Sequence, residues 1–281
     1  MLSLSRVFIM LLVLTFFGML IAPIIKYNNV EKVYVNNASS TLKHIAKPKK
    51  IEAPLHDLKL PDFAHLKNVT AKKQLFFDFL APAVKKENIR ILEQRKQLLM
   101  LKSKALINIR PAEKAYIIKL AKQYKLNKRL SLKKKIAELI VRIDEVPAEL
   151  VLVQAANESA WGTSRFARIG LNFFGIWCYT PQCGMIPNGR SGDDKHEVAA
   201  FESVDQAVQH YFFNINSHDA YKVLREIRRQ LRIQKHPLKA EILASGLSAY
   251  SSRGEHYVLE ITKMIEQNQS YIIAALNRTN D

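Results

Sequence analysis

A mainly α-helical fold with a small β-hairpin lobe is the class that this 281-residue sequence predicts, and three observations predict it. Apolar residues recur at helical spacing from Leu92 to Ile143 and again from Val204 to Leu276. Val151 to Ala156 is an almost wholly apolar run, broken only by Gln154, which reads as a helix buried on most sides. Between Asn172 and Glu202 the character changes to turns, with Pro181, Gly184, Pro187-Asn188-Gly189 and Gly192-Asp193-Asp194. One short segment there, His196 to Phe201, suits a strand.

Along the chain, Val7 to Ile25 is an uncharged stretch of 19 residues between Arg6 and Lys26, close to the ~20 needed to span a bilayer. Its best small-residue cleavage site, Ala22, has Leu20 two positions earlier and Pro23 after it, a poor A-x-A pattern, so an uncleaved anchor is favoured over a signal peptide in residues 1–25. Either reading exports the rest. Residues 26–70 look like a tether, with scattered lysines, the Asn36-Asn37-Ala38-Ser39-Ser40 cluster, and Pro48, Pro54 and Pro61. Residues 71–145 form a basic helical region. In it Leu92, Leu99 and Leu106 recur every seven residues, beside Leu98, Leu101 and Ala105, as one buried face. Pro111 opens the next helix, whose apolar face is Tyr116, Ile117, Leu120, Ala121 and Tyr124, with Lys119, Lys122 and Lys125 on the wet side. A third stripe runs from Leu132 to Ile143 before Val146-Pro147 breaks it. Residues 146–281 make the domain that carries the chemistry. Its later helices are Val204 to Ser217, Tyr221 to Ile233, and Tyr257 to Leu276.

Glu158 ends the apolar run, and Gly162 is a natural stop, which puts the acid in or near the last helical turn. Desolvation and the negative end of the helix dipole both push such a carboxyl toward its protonated form. That is the state a glycosidase needs to protonate a leaving oxygen. Trp161, three residues on, is a candidate for the apolar wall that raises its pKa. The plainer alternative is a surface Glu that follows a core helix.

Ala155-Ala156-Asn157-Glu158-Ser159-Ala160-Trp161-Gly162, followed by Asn172-Phe173-Phe174-Gly175-Ile176, resembles the paired signature of family 73 bacterial glucosaminidases. It is most like the Bax-type members, which share the Asn before the Glu, the two following cysteines and a His-Glu-Val segment. The resemblance runs from about Pro54 to the C-terminus. It implies a lysozyme-like fold, hydrolysis of β-1,4-glycosidic bonds in peptidoglycan glycan strands on the GlcNAc side, and Glu158 as general acid. It also implies a second acid in the β-lobe. Of Asp193, Asp194 and Glu197 the last is favoured, because a strand fixes its direction. Tyr250 stands at the family's Tyr-x-Thr element, with Ser252 in the place of the Thr, and its hydroxyl would face the sugar. Phe174 and Trp177 are candidates for a sugar-stacking wall. Asn172 would bond the turn's backbone or an N-acetyl group. Tyr257, spaced with Ile261, reads as core. Lytic transglycosylase chemistry and a non-catalytic wall-binding scaffold are the alternatives.

The formal charge is +18, and it is unevenly placed. Lys26 to Glu145 hold 28 Lys and Arg against 11 Asp and Glu, whereas Val146 onward holds 14 of each. A basic appendage suits an anionic partner such as a bilayer surface or wall polymer, or is simply solvated helix faces. It lacks interleaved base-stacking aromatics, so no nucleic-acid partner is expected. Lys222, Arg225, Arg229 and Arg232 share a helical face that could meet peptide-stem carboxylates or plain solvent. Cys178 and Cys183, the only cysteines, suit a local disulfide in an oxidising compartment, with a metal site as the rival. No cofactor or metal motif is present. The expectation is a monomer on the periplasmic side of the inner membrane, tethered through residues 7–25.

Overall fold

The computed structural model describes residues 52–188 and 196–279, and every element below lies in the unit that begins at Ala53. Helix α1 (Val69–Ser103) starts where Asn68 accepts a hydrogen bond from the Ala71 N–H at 3.0 Å. Its inward stripe is Phe76, Phe77, Leu80, Val84, Ile91, Leu98 and Leu101. The heptad leucines are not that face: Leu92, Leu99 and Leu106 are 36%, 44% and 54% exposed. The two phenylalanines set the rotation of the helix, and at 3.6 residues per turn Leu98 and Leu101 stay with them while the seven-residue ridge turns outward. Leu106 falls beyond the helix, in a 3₁₀ turn, Leu106–Asn108.

Helices α2 (Pro111–Gln123) and α3 (Leu132–Arg142) bury the stripes read from the sequence, Ile117, Leu120 and Ala121 in one and Ile136 and Leu139 in the other. After Val146-Pro147 comes α4 (Ala148–Ser159), which packs against α1 and the last helix. A short α5 (Arg165–Gly170) leads to the β-lobe. There the expected hairpin is a three-stranded antiparallel sheet in the order β1-β3-β2: β1 is Trp177–Cys178, β2 Gly184–Met185 and β3 Glu197–Ala199. Helices α6 (Val204–Ser217), α7 (Lys222–Ile233), α8 (Ala240–Ala244) and α9 (Glu255–Arg278) complete the fold.

The chain ahead of α1 joins the fold from residue 53 on. Leu55 N–H bonds Ile169 O at 2.8 Å, and Phe63, 2% exposed, packs edge-on against Phe76 and Phe79. The anchor read at residues 7–25 and the tether up to residue 51 lie outside the described residues. Among the described residues no helix is long and apolar enough to cross a membrane.

The arginine face on α7 does structural work. Arg225, 4% exposed, donates to Ile215 O and His218 O, both at 2.8 Å. Arg232 pairs with Asp144 and Glu145 at 2.9 and 2.6 Å, and Arg229 with Glu226. Arg228, outside the predicted stripe and 1% exposed, donates to the carbonyls of Val141, Arg142, Asp144 and Glu145 and to Asn216 Oδ1. It fills acceptors that the end of α3 leaves open and places a cation at that helix's negative pole.

Asn172 joins the α5 exit to the sheet. Its Nδ2 donates to Ile176 O and Ala199 O, each at 2.8 Å, and its Oδ1 accepts from Phe174 N at 3.3 Å and Ile176 N at 3.0 Å. The residue is 1% exposed, so no solvent would replace these partners. Asn172→Ala should therefore lower stability by on the order of 3 kcal/mol, read as a lower urea midpoint at unchanged slope.

Candidate active site

Helix α4 is buried all round: Val151, Leu152, Val153, Gln154, Ala155 and Ala156 are each 0% exposed. Only its two ends, Ala148-Glu149 and Asn157-Glu158, reach solvent. At the second of them the chain reverses through three consecutive left-handed residues, Ala160 (φ 50°), Trp161 (φ 59°) and Gly162 (φ 76°). Ser159 clamps the reversal, its Oγ donating to Ala155 O at 2.6 Å and accepting from Gly162 N at 2.8 Å. Gly162 is required twice over, since a Cβ there would lie 2.6 Å from the Phe63 ring. Trp161 does not wall the acid. It packs edge-on against Phe76 and Phe77 and carries Lys73 over its ring, so it anchors the turn to α1.

Glu158, half-buried in the last turn, lines a cleft of about 400 Å³ together with Phe174, Gly175, Ile176, Trp177, Tyr179, Asn214, His218, Tyr221 and Tyr250. Four of the sequence-predicted site residues thus meet: Glu158, Phe174, Trp177 and Tyr250. Gly175 faces the acid directly. Its φ is +65°, and a Cβ added there would sit 3.7 Å from Glu158 Oε2. The Tyr250 hydroxyl donates to Phe174 O at 2.8 Å, which fixes the turn above the acid. Phe174, 2% exposed, stacks on Tyr211 with ring centroids 4.4 Å apart. Trp177 is 55% exposed and stacks on His196 at 4.1 Å, making a flat wall with the exposed Tyr179.

Burial is the largest influence on the Glu158 carboxyl and holds its pKa above the ordinary carboxylate value. Hydrogen bonds from Tyr257 and Asn157 and the charge of Arg253 pull the other way, and Glu260 adds a small upward push. Tyr257 is a core residue, as expected, and its hydroxyl accepts from Gln154 Nε2 at 2.9 Å. Asn214, His218 and Tyr221 carry no sequence signal. They sit where α6 ends and the next turn begins, and only the tertiary fold brings that corner to Glu158.

Glu197 departs from the expected role. It does not line the cleft. It is 8% exposed, and its two oxygens accept from Gln182 N at 3.0 Å, inside the loop closed by the Cys178–Cys183 disulfide, and from Gly184 N at 2.9 Å, just past it. Asn172 likewise spends its polar atoms on backbone, not on the cleft. Because the two sulfurs are bonded to each other, the metal reading of the cysteine pair falls, although Glu197 lies beside them. Asp193 and Asp194 lie outside the described residues. Among the described residues Glu158 is the one carboxylate lining the cleft.

Residues 134–270 match the glucosaminidase family described as mannosyl-glycoprotein endo-beta-N-acetylglucosaminidase. The matched stretch spans α4, the β-lobe and most of α9, and so includes every residue lining the cleft. The chain is also 32% identical over 217 residues to Protein bax of Escherichia coli (strain K12), a similarity that covers 76% of each chain. No solved structure matches significantly. With an acid at the end of a buried helix, an Asn-anchored Phe-Gly turn above it, and a family match across both, the chain belongs to the glucosaminidase family as a Bax-type member.

Proposed function

We propose that this protein hydrolyses β-1,4-glycosidic bonds of peptidoglycan glycan strands on the GlcNAc side, with Glu158 as the general acid. The observation that carries the reading is the half-buried Glu158 at the open end of an apolar helix, its pKa raised by burial, in a cleft walled by aromatic rings. Protonated Glu158 gives its proton to the leaving glycosidic oxygen as the bond to the anomeric carbon breaks. Trp177 and Tyr179 offer faces on which pyranose rings stack. The cleft has no second described carboxylate, which supports the substrate's own 2-acetamido group as the partner that stabilises the cationic centre. Glu197 then shapes the wall and does not activate water. The disulfide suits an oxidising compartment, and the uncharged run at 7–25 suits export with retention at the membrane, so the periplasmic face of the inner membrane is the proposed place of action.

Glu158→Gln should cut hydrolysis of purified peptidoglycan by on the order of 10² to 10⁴-fold with the fold intact. Mass spectrometry of the wild-type digest should show reducing-end GlcNAc. Anhydro-muramyl ends would instead assign transglycosylation, and no products a binding role.

The acid must be protonated to act, so the rate should fall as pH rises through its raised pKa, giving an alkaline limb above the ordinary Glu value. The linkage sign agrees. Above that pKa the fold holds a half-buried charge that the unfolded chain would leave in water, and below the ordinary value it holds none. Glu158→Gln should therefore be at least as stable as the parent at neutral pH in thermal melts.

A third expectation separates the two acids. Glu197→Gln sets an amide N–H against a backbone N–H, so it should lower the melting temperature, while turnover falls by only about 10-fold or less. A water-activating base would lose on the order of 10² or more.

A further inference from the structure

Helix α1 turns its leucine ridge outward, and nothing in the reaction above uses that ridge. Ile89, Leu92, Lys96, Leu99, Met100 and Ser103 share one face of the helix, an arc of about 100° at 3.6 residues per turn. Ile89 is 60% exposed and Met100 52%. Just beyond the helix, the 3₁₀ turn Leu106–Asn108 buries none of its residues, and Ile107 is 92% exposed. This turn is no loose end. Asn108 N–H donates to Ala105 O at 2.9 Å and Ile109 N–H to Leu106 O at 3.3 Å, while Ile109 packs on the core. The backbone is therefore held with Leu106 and Ile107 in solvent. Single exposed aliphatic side chains are ordinary, but a ridge that ends on two of them at the tip of a turn marks a contact surface.

Cations rim the strip. From Lys96 to Lys114 five Lys and Arg stand against one acid, Glu113. Lys104 and Arg110 share that acid, at 2.7 and 3.0 Å. Lys96, Lys102 and Lys114 are exposed and make no ion pair among the described residues. From Ile89 to Ser103 the only acid is Glu93, at the edge of the ridge. Aliphatic tips that enter the acyl boundary, beside lysines that stay with the phosphates, are the features that an anionic lipid surface takes up.

We propose that this face of α1 and the Leu106-Ile107 tip form a docking surface for an anionic phospholipid bilayer, against which α1 lies lengthwise. The proposal rests on the reading that the chain is retained at a membrane, and it gives the retained domain an orientation. A second copy of the chain would set these lysines against their own kind, so charge favours lipid. The uncharged run at 7–25 brings a bilayer within range. Fully extended, residues 26–51 would reach at most about 90 Å, against a length of about 50 Å for α1.

The test uses the full chain with Ile107→Trp, incorporated into vesicles of equal parts phosphatidylcholine and phosphatidylglycerol that carry bromine on their acyl chains. Bromine quenches an indole only at contact, so loss of the emission added over that of Trp161 and Trp177 reads entry of the tip. An indole at so exposed a position displaces no packing. Leu259→Trp, at a site 66% exposed, is the control. Gln74 donates to Tyr271 O and Lys85 to Thr279 O, so α9 runs beside α1 in the same direction, and Leu259 lies off the start of α1, away from the tip. Flotation of the chain with the vesicles reads membrane retention separately.

Ile107→Trp should lose most of its added emission to bromine in the mixed vesicles and little in phosphatidylcholine alone, and Leu259→Trp should lose none. Lys96→Glu with Lys102→Glu should abolish the loss, as should high salt. A chain that floats with the mixed vesicles while the Ile107→Trp indole stays unquenched overturns the docking surface and leaves retention standing. A chain that does not float overturns both. Equal quenching at the two positions, or in the two lipids, also overturns the proposal. An emission already blue-shifted without vesicles and unquenched with them overturns it in favour of a protein contact, with a second copy or with the chain's own apolar run.

Discussion

Helix α4 has no wet side, and the rest of the architecture follows from hiding it. A helix with apolar residues on every face cannot lie on a surface, so neighbours must surround it, and α1, α8 and α9 do. Once the flanks are sealed, the only exit for a polar group is along the axis. Glu158 takes that exit. Its half-buried state is thus a consequence of where the helix stops, and the stop is set by the left-handed turn that Ser159 clamps and Trp161 pins to α1. The segment before α1 takes part as well, because Phe63 closes over Gly162. Phe63 and α1, from the described part of the basic N-terminal half, are in this sense the casing of the Glu158 helix.

The helical frame and the place of Glu158 at the end of its helix were legible because each rests on local rules. Periodicity finds the helices, and Val204–Ser217 is found to its ends, since Ser203 caps it by accepting from Gln206 N at 3.1 Å. The Asn-Phe-Phe-Gly turn was legible as a motif, but the work of its asparagine was not, because one of its partners, Ala199 O, is 27 residues away. The seven-residue leucine ridge misleads for a related reason. Spacing alone ranks two stripes on one helix alike, and the phenylalanines that decide between them act through rings on other segments. Glu197 was rightly placed on a strand, yet its carboxylate turns to the loop between β1 and β2.

Arginine was the least readable residue type. On sequence, the α7 cations form a solvated face or a site for anionic peptides. In the fold one of them, Arg225, and the neighbouring Arg228 are buried donors to carbonyl groups of other segments, and burial lowers the pKa of both to about 10, still charged near neutrality. Five fixed donors let one guanidinium collect acceptors that no single helix could satisfy. Lysine has no such fork, and most of the lysines of α2 and α3 stay in solvent. On the described helices α2 and α3 the exposed positive charge is therefore mostly lysine, while Arg225 and Arg228 are bound up in the scaffold.

The loop between Cys178 and Cys183 is held twice, by the disulfide and by the Glu197 carboxylate, which accepts from the N–H groups of Gln182 and Gly184 on either side of Cys183. Those two hydrogen bonds need no oxidant. The wall that carries Trp177 and Tyr179 thus has two holds of different chemistry, and reducing the disulfide removes only one of them.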